Sequence, residues 1–387
     1  MTTAVDVNSP KTLWSANVLG TIGVLSFIVE PGLVQGFVSK LGLSEAAAND
    51  LAFAEMIGIA IATYAIAAIG AKLSWRTTVG ACLAIGAAMN VVSAFVIDPS
   101  LLKATRFVTG LAEGGVIAIS WAIVSMTARP ERNFALYLTL LLVYSALAFW
   151  GMPLALSTIG LKGIFLFWAA LTAVSLVTVN YLPHSMEERA HPSPTSVDLS
   201  LPFLIAALAG VLLFNIAVGV SWTNIFLIGM EISHDEQAVA NALLVAQIAA
   251  VGGALGAVYV ERRYGRWRPM GVGILGGAGF LVLLLLYPNY TVFFLSACGL
   301  AVLSNFVVPF ILSEASDMST TGEMMTRAVA MQMTGIAAGP FLAGRILNFA
   351  AGFTIVKVMA ILLLVLSFLA LIPPMLERRR IMAKSPA

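Results

Sequence analysis

The chain has 387 residues, of which 60% are hydrophobic and only 10% are charged, and its formal net charge is +2. A soluble domain carries about 25% charged residues, so this composition excludes an ordinary soluble protein and indicates one that crosses a membrane many times. The small net charge gives no reason to expect nucleic acid as a partner.

Apolar runs separated by charged or Pro/Gly-rich breaks predict twelve transmembrane helices in two groups of six. The predicted spans are 13–38, 50–71, 76–97, 101–127, 134–157, 161–182, 201–230, 237–260, 269–287, 289–313, 325–348 and 352–376. The fold class is therefore an all-α membrane protein. Its predicted parts are an N-terminal six-helix half at 1–183, a linker at 184–200 and a C-terminal six-helix half at 201–387.

The distribution of basic residues predicts the orientation of these spans. If both termini are cytoplasmic, fifteen Lys and Arg residues lie on the inner side and five on the outer side. Such an excess is typical of cytoplasmic loops. We therefore expect a multi-pass protein of a bacterial inner membrane with both termini and the linker in the cytoplasm, and we expect it to be a monomer in the lipid bilayer.

The fourth predicted span carries two opposite charges, Arg106 and Glu113. A charge near the bilayer centre costs at least ~2.5–3.5 kcal/mol, so such residues usually face a bundle interior or a wet cavity. Seven residues at ~100° each place the two on one face of the helix, ~10 Å apart along its axis. One face of one helix therefore carries both signs of charge.

Two further acids lie inside apolar sequence, Glu30 in the first predicted span and Glu55 in the second. At 1.5 Å per residue, Glu30 falls in depth between Arg106 and Glu113, so these side chains would meet if the first and fourth helices were neighbours, which the family resemblance given below implies. Three carboxylates against one guanidinium cannot all be ionised cheaply, so at least one is expected to exchange a proton. We predict Glu30, Glu55 and Glu113 as proton-coupling residues. The alternatives are a static pair of Arg106 with Glu113, and a Glu55 that is merely solvated or structural near the membrane interface.

Two groups of six helices with a linker resemble the major facilitator superfamily. The loop at 256–269 resembles that superfamily's glycine, acid, basic, glycine, arginine loop. Arg106, Gly110, Glu113 and Gly114 resemble the helix 4 signature of its anion:cation symporter branch. The resemblance implies transport by alternating access, with an arginine that meets an anionic group or the coupling carboxylates and a glutamate that titrates.

In that superfamily the loop pins one helix end to another when the inner gate closes. The resemblance, together with acids near the end of the tenth predicted span, gives the predicted gating residues Glu261, Arg262, Gly265, Arg266, Glu314 and Asp317.

The predicted substrate site combines one cation with aromatic and amide side chains. Its predicted members are Arg106, Tyr137, Tyr144, Trp222, Asn224, Asn305 and Gln332. One cation among many apolar walls suits a carboxylate that is aromatic or otherwise partly apolar. The sequence thus favours proton-coupled symport of an organic anion, with sodium as the alternative coupling ion.

Two rival functions stay open. A proton-driven exporter of lipophilic or cationic compounds is favoured by the surplus of acids, but the fifth span at 134–157 lacks the glycine-rich run typical of drug:proton antiporters. A receptor or scaffold without transport would show no substrate-dependent proton movement. The sequence contains no catalytic triad, metal-ligand cluster or phosphate-binding glycine loop, so we expect neither an enzyme nor a cofactor or metal.

Overall fold

The computed structural model describes residues 6–128, 130–183, 197–264, 266–319, 323–349 and 352–384. Within these ranges the chain forms fourteen α-helices and three short 3-10 segments, and no strand. It divides into two compact units, Met1–Arg189 and Ala190–Ala387. Most of the predicted linker, at 184–196, lies outside the described residues.

The first unit contains seven α-helices, two of which share the first predicted span. They are α1 (Pro10–Ile22), α2 (Glu30–Leu41), α3 (Glu45–Ile69), α4 (Trp75–Phe95), α5 (Pro99–Ser125), α6 (Pro130–Thr158) and α7 (Gly160–Ser175). Side-chain caps begin three of them: Ser9, Ser44 and Asp98 accept hydrogen bonds from backbone N–H groups of the first turns of α1, α3 and α5. These caps satisfy donors that have no partner within the helix.

The second unit also contains seven α-helices. They are α8 (Leu201–Thr223), α9 (Ile225–Ser233), α10 (Glu236–Tyr264), α11 (Trp267–Leu286), α12 (Tyr290–Ser316), α13 (Glu323–Leu347) and α14 (Thr354–Lys384).

The predicted span at 13–38 is not one continuous helix. The chain forms α1, then a 3-10 segment at Phe27–Val29, then α2, and the two parts are bent by 44°. Pro31 lies in the first turn of α2, and proline has no N–H to donate to the preceding turn. The helix therefore restarts there instead of running through.

The predicted helix at 201–230 is also broken, into α8 and α9. Asn224 lies at the junction, and its side-chain Nδ2 donates to the carbonyl of Val220 at 3.0 Å. An amide that bonds the carbonyl four residues earlier competes with the backbone N–H for that acceptor, and the backbone N–H of Asn224 bonds the carbonyl of Trp222 instead.

Ten helices in the described part of the chain are long and apolar enough to cross a membrane, or eleven if α1 and α2 count as one bent span. The predicted span at 325–348 corresponds to α13, which is not in that count. Its Gly335 packs closely on α8, since a Cβ there would lie 2.7 Å from the backbone oxygen of Leu212. Small residues of this kind allow close helix packing and lower the hydropathy of the segment.

Candidate functional site

Close packing of α3 against α5 forms the base of the candidate site in the first unit. A Cβ on Gly110 would lie 2.8 Å from the carbonyl carbon of Glu55, and one on Gly58 would lie 2.9 Å from the nitrogen of Leu111. Only glycine permits backbones to approach this closely. The approach brings Glu55 of α3 next to Arg106 of α5.

Arg106 is fully buried, with 0% of its surface exposed. Its Nε donates to Oε2 of Glu55 at 2.8 Å, its Nη2 donates to Oε1 of the same carboxylate, and its Nη1 donates to Oδ1 of Asn90 at 2.9 Å. The guanidinium also lies 5.2 Å from the ring centre of Phe165, which favours a cation. All three nitrogens of Arg106 therefore have partners, and its ion pair with Glu55 is bidentate.

Ser26 connects two of the acids. Its hydroxyl oxygen lies 2.6 Å from Oε1 of Glu113 and also contacts Oε1 of Glu55. A hydroxyl has one proton to donate, so two hydrogen bonds to carboxyl oxygens require one of the acids to be protonated and to donate in return. Glu55 is the ionised partner of Arg106. We infer that the protonated acid is Glu113, so that Glu113 donates to Ser26 while Ser26 donates to Glu55.

Glu30 is the third acid of this acid cluster, which we define as Glu30, Glu55, Glu113, Arg106 and Ser26. Glu30 is 0% exposed, and neither of its carboxyl oxygens has a hydrogen-bond partner within the described ranges. It lies within electrostatic range of Arg106 and of both other acids. An ionised carboxylate without hydrogen bonds is very costly to bury, so these surroundings favour the neutral form of Glu30 as well. The cluster then holds one positive and one negative charge.

Tyr137 and Tyr144 of α6 support the break in the first span. The Tyr144 hydroxyl donates to the carbonyl of Leu25 at 2.8 Å and accepts from Nε1 of Trp168 at 3.1 Å. The Tyr137 hydroxyl donates to the carbonyl of Gly20 at 3.4 Å. Both tyrosines thus bind backbone oxygens near the segment that presents Ser26, and their predicted role in substrate binding stays a prediction.

A family model described as Major Facilitator Superfamily matches residues 17–319. The chain belongs to this superfamily. Two similar solved structures are crystal structures of the nucleoside transporter NupG. The structure of a NupG point mutant is 18% identical in sequence, and its alignment covers 94% of this chain and 99% of the NupG chain with a TM-score of 0.71. The other NupG structure is 16% identical in sequence, and its alignment covers 97% of this chain and 99% of the NupG chain with a TM-score of 0.68. Comparison with curated proteins finds no match.

Membership of the Major Facilitator Superfamily identifies the chain as a multi-pass secondary transporter and not an enzyme. The likeness to NupG, at identities below 25%, shows a common fold. The membership confirms the expected superfamily and fold class.

The substrate residues predicted in the second unit have uncharged side chains and are spread over several of its helices. The side chains of Asn224 and Asn305 donate to carbonyls of their own helices, at 3.0 and 2.9 Å. Trp222 lies at the end of α8 and Gln332 lies on α13, and both are half-buried. Their substrate-binding role stays a prediction.

The predicted gating residues lie near the C-terminal ends of α10 and α12. Arg266 donates to Oδ2 of Asp317 at 2.7 Å, so the structure brings this predicted pair together. The side chains of Glu261 and Arg262, and the whole of Gly265, lie outside the described residues. The gating role of this group stays a prediction.

Sequence analysis missed the basic partner of Glu314. Arg378 of α14 donates through Nη1 to both carboxylate oxygens of Glu314 at 3.0 Å and through Nη2 to Asp317 at 2.7 Å. These side chains are almost fully buried. The triplet Arg378-Arg379-Arg380 marks a basic helix end in the sequence but does not reveal which arginine turns inward.

Ser26 was also missed by sequence analysis. A single serine in an apolar run is usually a small packing residue, and its neighbours Gly23 and Pro31 were the available signal that the helix breaks here. Ser26 lies directly before the 3-10 segment and contacts Glu55 of α3 and Glu113 of α5.

Proposed function

We propose that this secondary transporter is proton-coupled and carries an organic anion with an apolar or aromatic part by symport. The observation that carries the proposal is the single hydroxyl of Ser26 placed between two carboxyl groups, only one of which pairs with Arg106. This arrangement can move a proton between Glu113 and Glu55 without a change in the fold.

The proton step follows from the hydrogen bonds of the acid cluster. Glu113 gives its O–H proton to Ser26 while Ser26 gives its own proton to the Glu55 carboxylate. Glu55 becomes neutral and releases Arg106, and Glu113 then regains a proton from solvent. The net change is the uptake of one proton, while Glu30 stays protonated throughout.

Charge balance links this proton to an anion. A neutral Glu55 leaves the buried Arg106 without a negative partner, and an unpaired buried charge costs about 3–5 kcal/mol. A substrate carboxylate can take the place of Glu55 as a bidentate partner of the guanidinium. One proton is therefore taken up for each negative charge that binds.

A second candidate is symport of a neutral, nucleoside-like substrate. It is favoured by the complete engagement of Arg106 by Glu55, Asn90 and Phe165, which leaves the guanidinium no vacant nitrogen for an anion. The fold shared with a protein titled nucleoside transporter agrees with this candidate.

The sign of proton exchange on binding distinguishes these functions. Purified protein in weakly buffered detergent, with a pH-sensitive dye, would be mixed with 4-hydroxybenzoate, uridine or tetraphenylphosphonium, and melting shifts would report which of them binds. We expect the acid to bind with uptake of about one proton. Uridine binding without proton exchange would support the second candidate. Release of a proton on binding of the cation alone would indicate the exporter and overturn the proposal.

Glu113→Gln tests the proton path itself in reconstituted vesicles. An amide cannot pass a proton to Ser26, so accumulation driven by a pH gradient should be lost. Counterflow exchange of labelled substrate requires no net proton movement and should be retained. Full accumulation by the variant would remove Glu113 from the proton path.

A further inference from the structure

A small cavity of about 10 Å³ lies beside Glu113, between the end of α1 and helices α4, α5 and α7 of the first unit. Its walls include Asn90 and Leu83 of α4, Glu113 of α5 and Thr172 of α7. A cavity holds one water molecule when about 10–15 Å³ of its space is open to the centre of a water-sized sphere. The space therefore fits a ligand no larger than a single water.

Glu113, one of the residues that line this cavity, has a side-chain oxygen without a partner among the described residues. Oε2 of Glu113 makes no hydrogen bond with any described residue, although the side chain is only 8% exposed. The other oxygen of this carboxyl is engaged by Ser26. An ordered buried water usually makes two to four hydrogen bonds, and the side chains of Glu113, Asn90 and Thr172 can supply them.

The local charges favour water over a metal cation in this cavity. Asn90 uses Oδ1 to accept from the Arg106 guanidinium at 2.9 Å. A cation would therefore lie close to a buried arginine, which repels it. Water can instead donate to Oε2 of Glu113 in both protonation states, because the one proton of the neutral acid is donated from Oε1 to Ser26.

We propose that this cavity holds one ordered water molecule, hydrogen-bonded to Oε2 of Glu113, through which Glu113 regains the proton that it passes to Ser26. In this step the water gives a proton to the Glu113 carboxylate and is itself reprotonated from solvent. The transport role of the water rests on the proposed function, whereas its binding in the cavity does not.

Gly86→Ala provides a variant that fills the cavity. Gly86 forms part of the cavity wall. A Cβ at this position would lie 3.6 Å from Cβ of Ala112 and 3.7 Å from Cγ2 of Thr172, which are ordinary contact distances. The matched control is Gly80→Ala on the same helix, where a Cβ would lie 3.9 Å from Val179 and outside the cavity.

X-ray hydroxyl-radical footprinting tests the binding of water directly. Radicals formed in a bound water oxidise the side chains that surround it, and Leu83 is a suitable reporter because it lines the cavity and is only 1% exposed. We expect Leu83 to be oxidised in the wild type and in Gly80→Ala, and at least several-fold less in Gly86→Ala. Equal oxidation in the three proteins, or none in the wild type, would overturn the proposed water.

Transport measurements test the role of the water. In Gly86→Ala, counterflow should be retained, and the pH for half-maximal proton-driven accumulation should differ from that of Gly80→Ala by about one unit, the equivalent of a modest hydrogen bond. If Gly86→Ala loses the oxidation of Leu83 but keeps the pH profile of Gly80→Ala, the water is purely structural and its proposed role in transport is overturned. If substrate binding requires sodium, the cavity holds a cation, and the proposed water is overturned. Absence of proton-driven transport in the wild type would instead refute the proposed function, while footprinting would still decide whether water is bound.

Discussion

Two chemically identical substitutions in the acid cluster should have very different costs. Glu55→Gln removes the ionised partner of Arg106, which is fully buried. Glu113→Gln replaces an acid that is already neutral with an amide that can donate to Ser26 in the same way. The pair therefore tests which carboxyl carries the negative charge.

The expected magnitudes follow from these contacts. Removal of one partner of a buried ion pair costs about 3–5 kcal/mol, while an exchange of one neutral donor for another should cost less than about 1 kcal/mol. For a unit of this size, 1 kcal/mol shifts Tm by about 2–4 °C. Glu55→Gln should thus lower Tm by about 6–20 °C and Glu113→Gln by less than about 4 °C. In Glu55→Gln the fall in Tm should be near the lower end of its range if Glu113 becomes ionised and supplies the negative charge that Glu55 has lost.

Thermal unfolding of both variants in one detergent provides the measurement. A double variant, Glu55→Gln with Arg106→Gln, is the control, because it removes the uncompensated charge and should lose less stability than the sum of its two single substitutions. A larger loss for Glu113→Gln than for Glu55→Gln would refute the assigned charges, since it would mean that Glu113 is the ionised partner of Arg106.

Two other pairs of variants test the packing of each unit by the same melting assay. Gly110→Ala places a methyl group 2.8 Å from the carbonyl carbon of Glu55 and should cost about 1–3 kcal/mol or more. Gly151→Ala, whose Cβ would meet no atom from elsewhere in the described part of the chain within 4 Å, should be neutral or slightly stabilising. Arg378→Ala leaves two buried carboxylates at the end of α12 without their shared partner and should cost about 3–5 kcal/mol, whereas Arg380→Ala, 67% exposed, should cost at most about 1 kcal/mol. Equal Tm values within either pair would contradict the contacts described.

The order of the apolar segments and the class of the protein can be predicted from the amino-acid sequence alone. Apolar length is a property of a local stretch of chain, so it can be read without knowledge of the neighbouring helices. Helix periodicity likewise placed Arg106 and Glu113 on one face of α5. The burial of Glu30 and Glu113 followed from their apolar surroundings.

The acid that pairs with Arg106 depends on how helices distant in the sequence pack against each other. Arg106 and Glu113 lie ~10 Å apart along one helix, too far for a hydrogen bond, while Glu55 approaches from α3 because Gly58 and Gly110 let the two backbones meet. No local pattern encodes that approach, since it depends on two segments about fifty residues apart.

The helix break at Ser26 was also decided by tertiary contacts. The run around it is apolar enough for a continuous helix, and the break persists because Tyr144 takes up the carbonyl of Leu25 that a regular helix would bond internally. The serine that joins the two acids is positioned by this long-range hydrogen bond, whose donor is separated from its acceptor by more than a hundred residues.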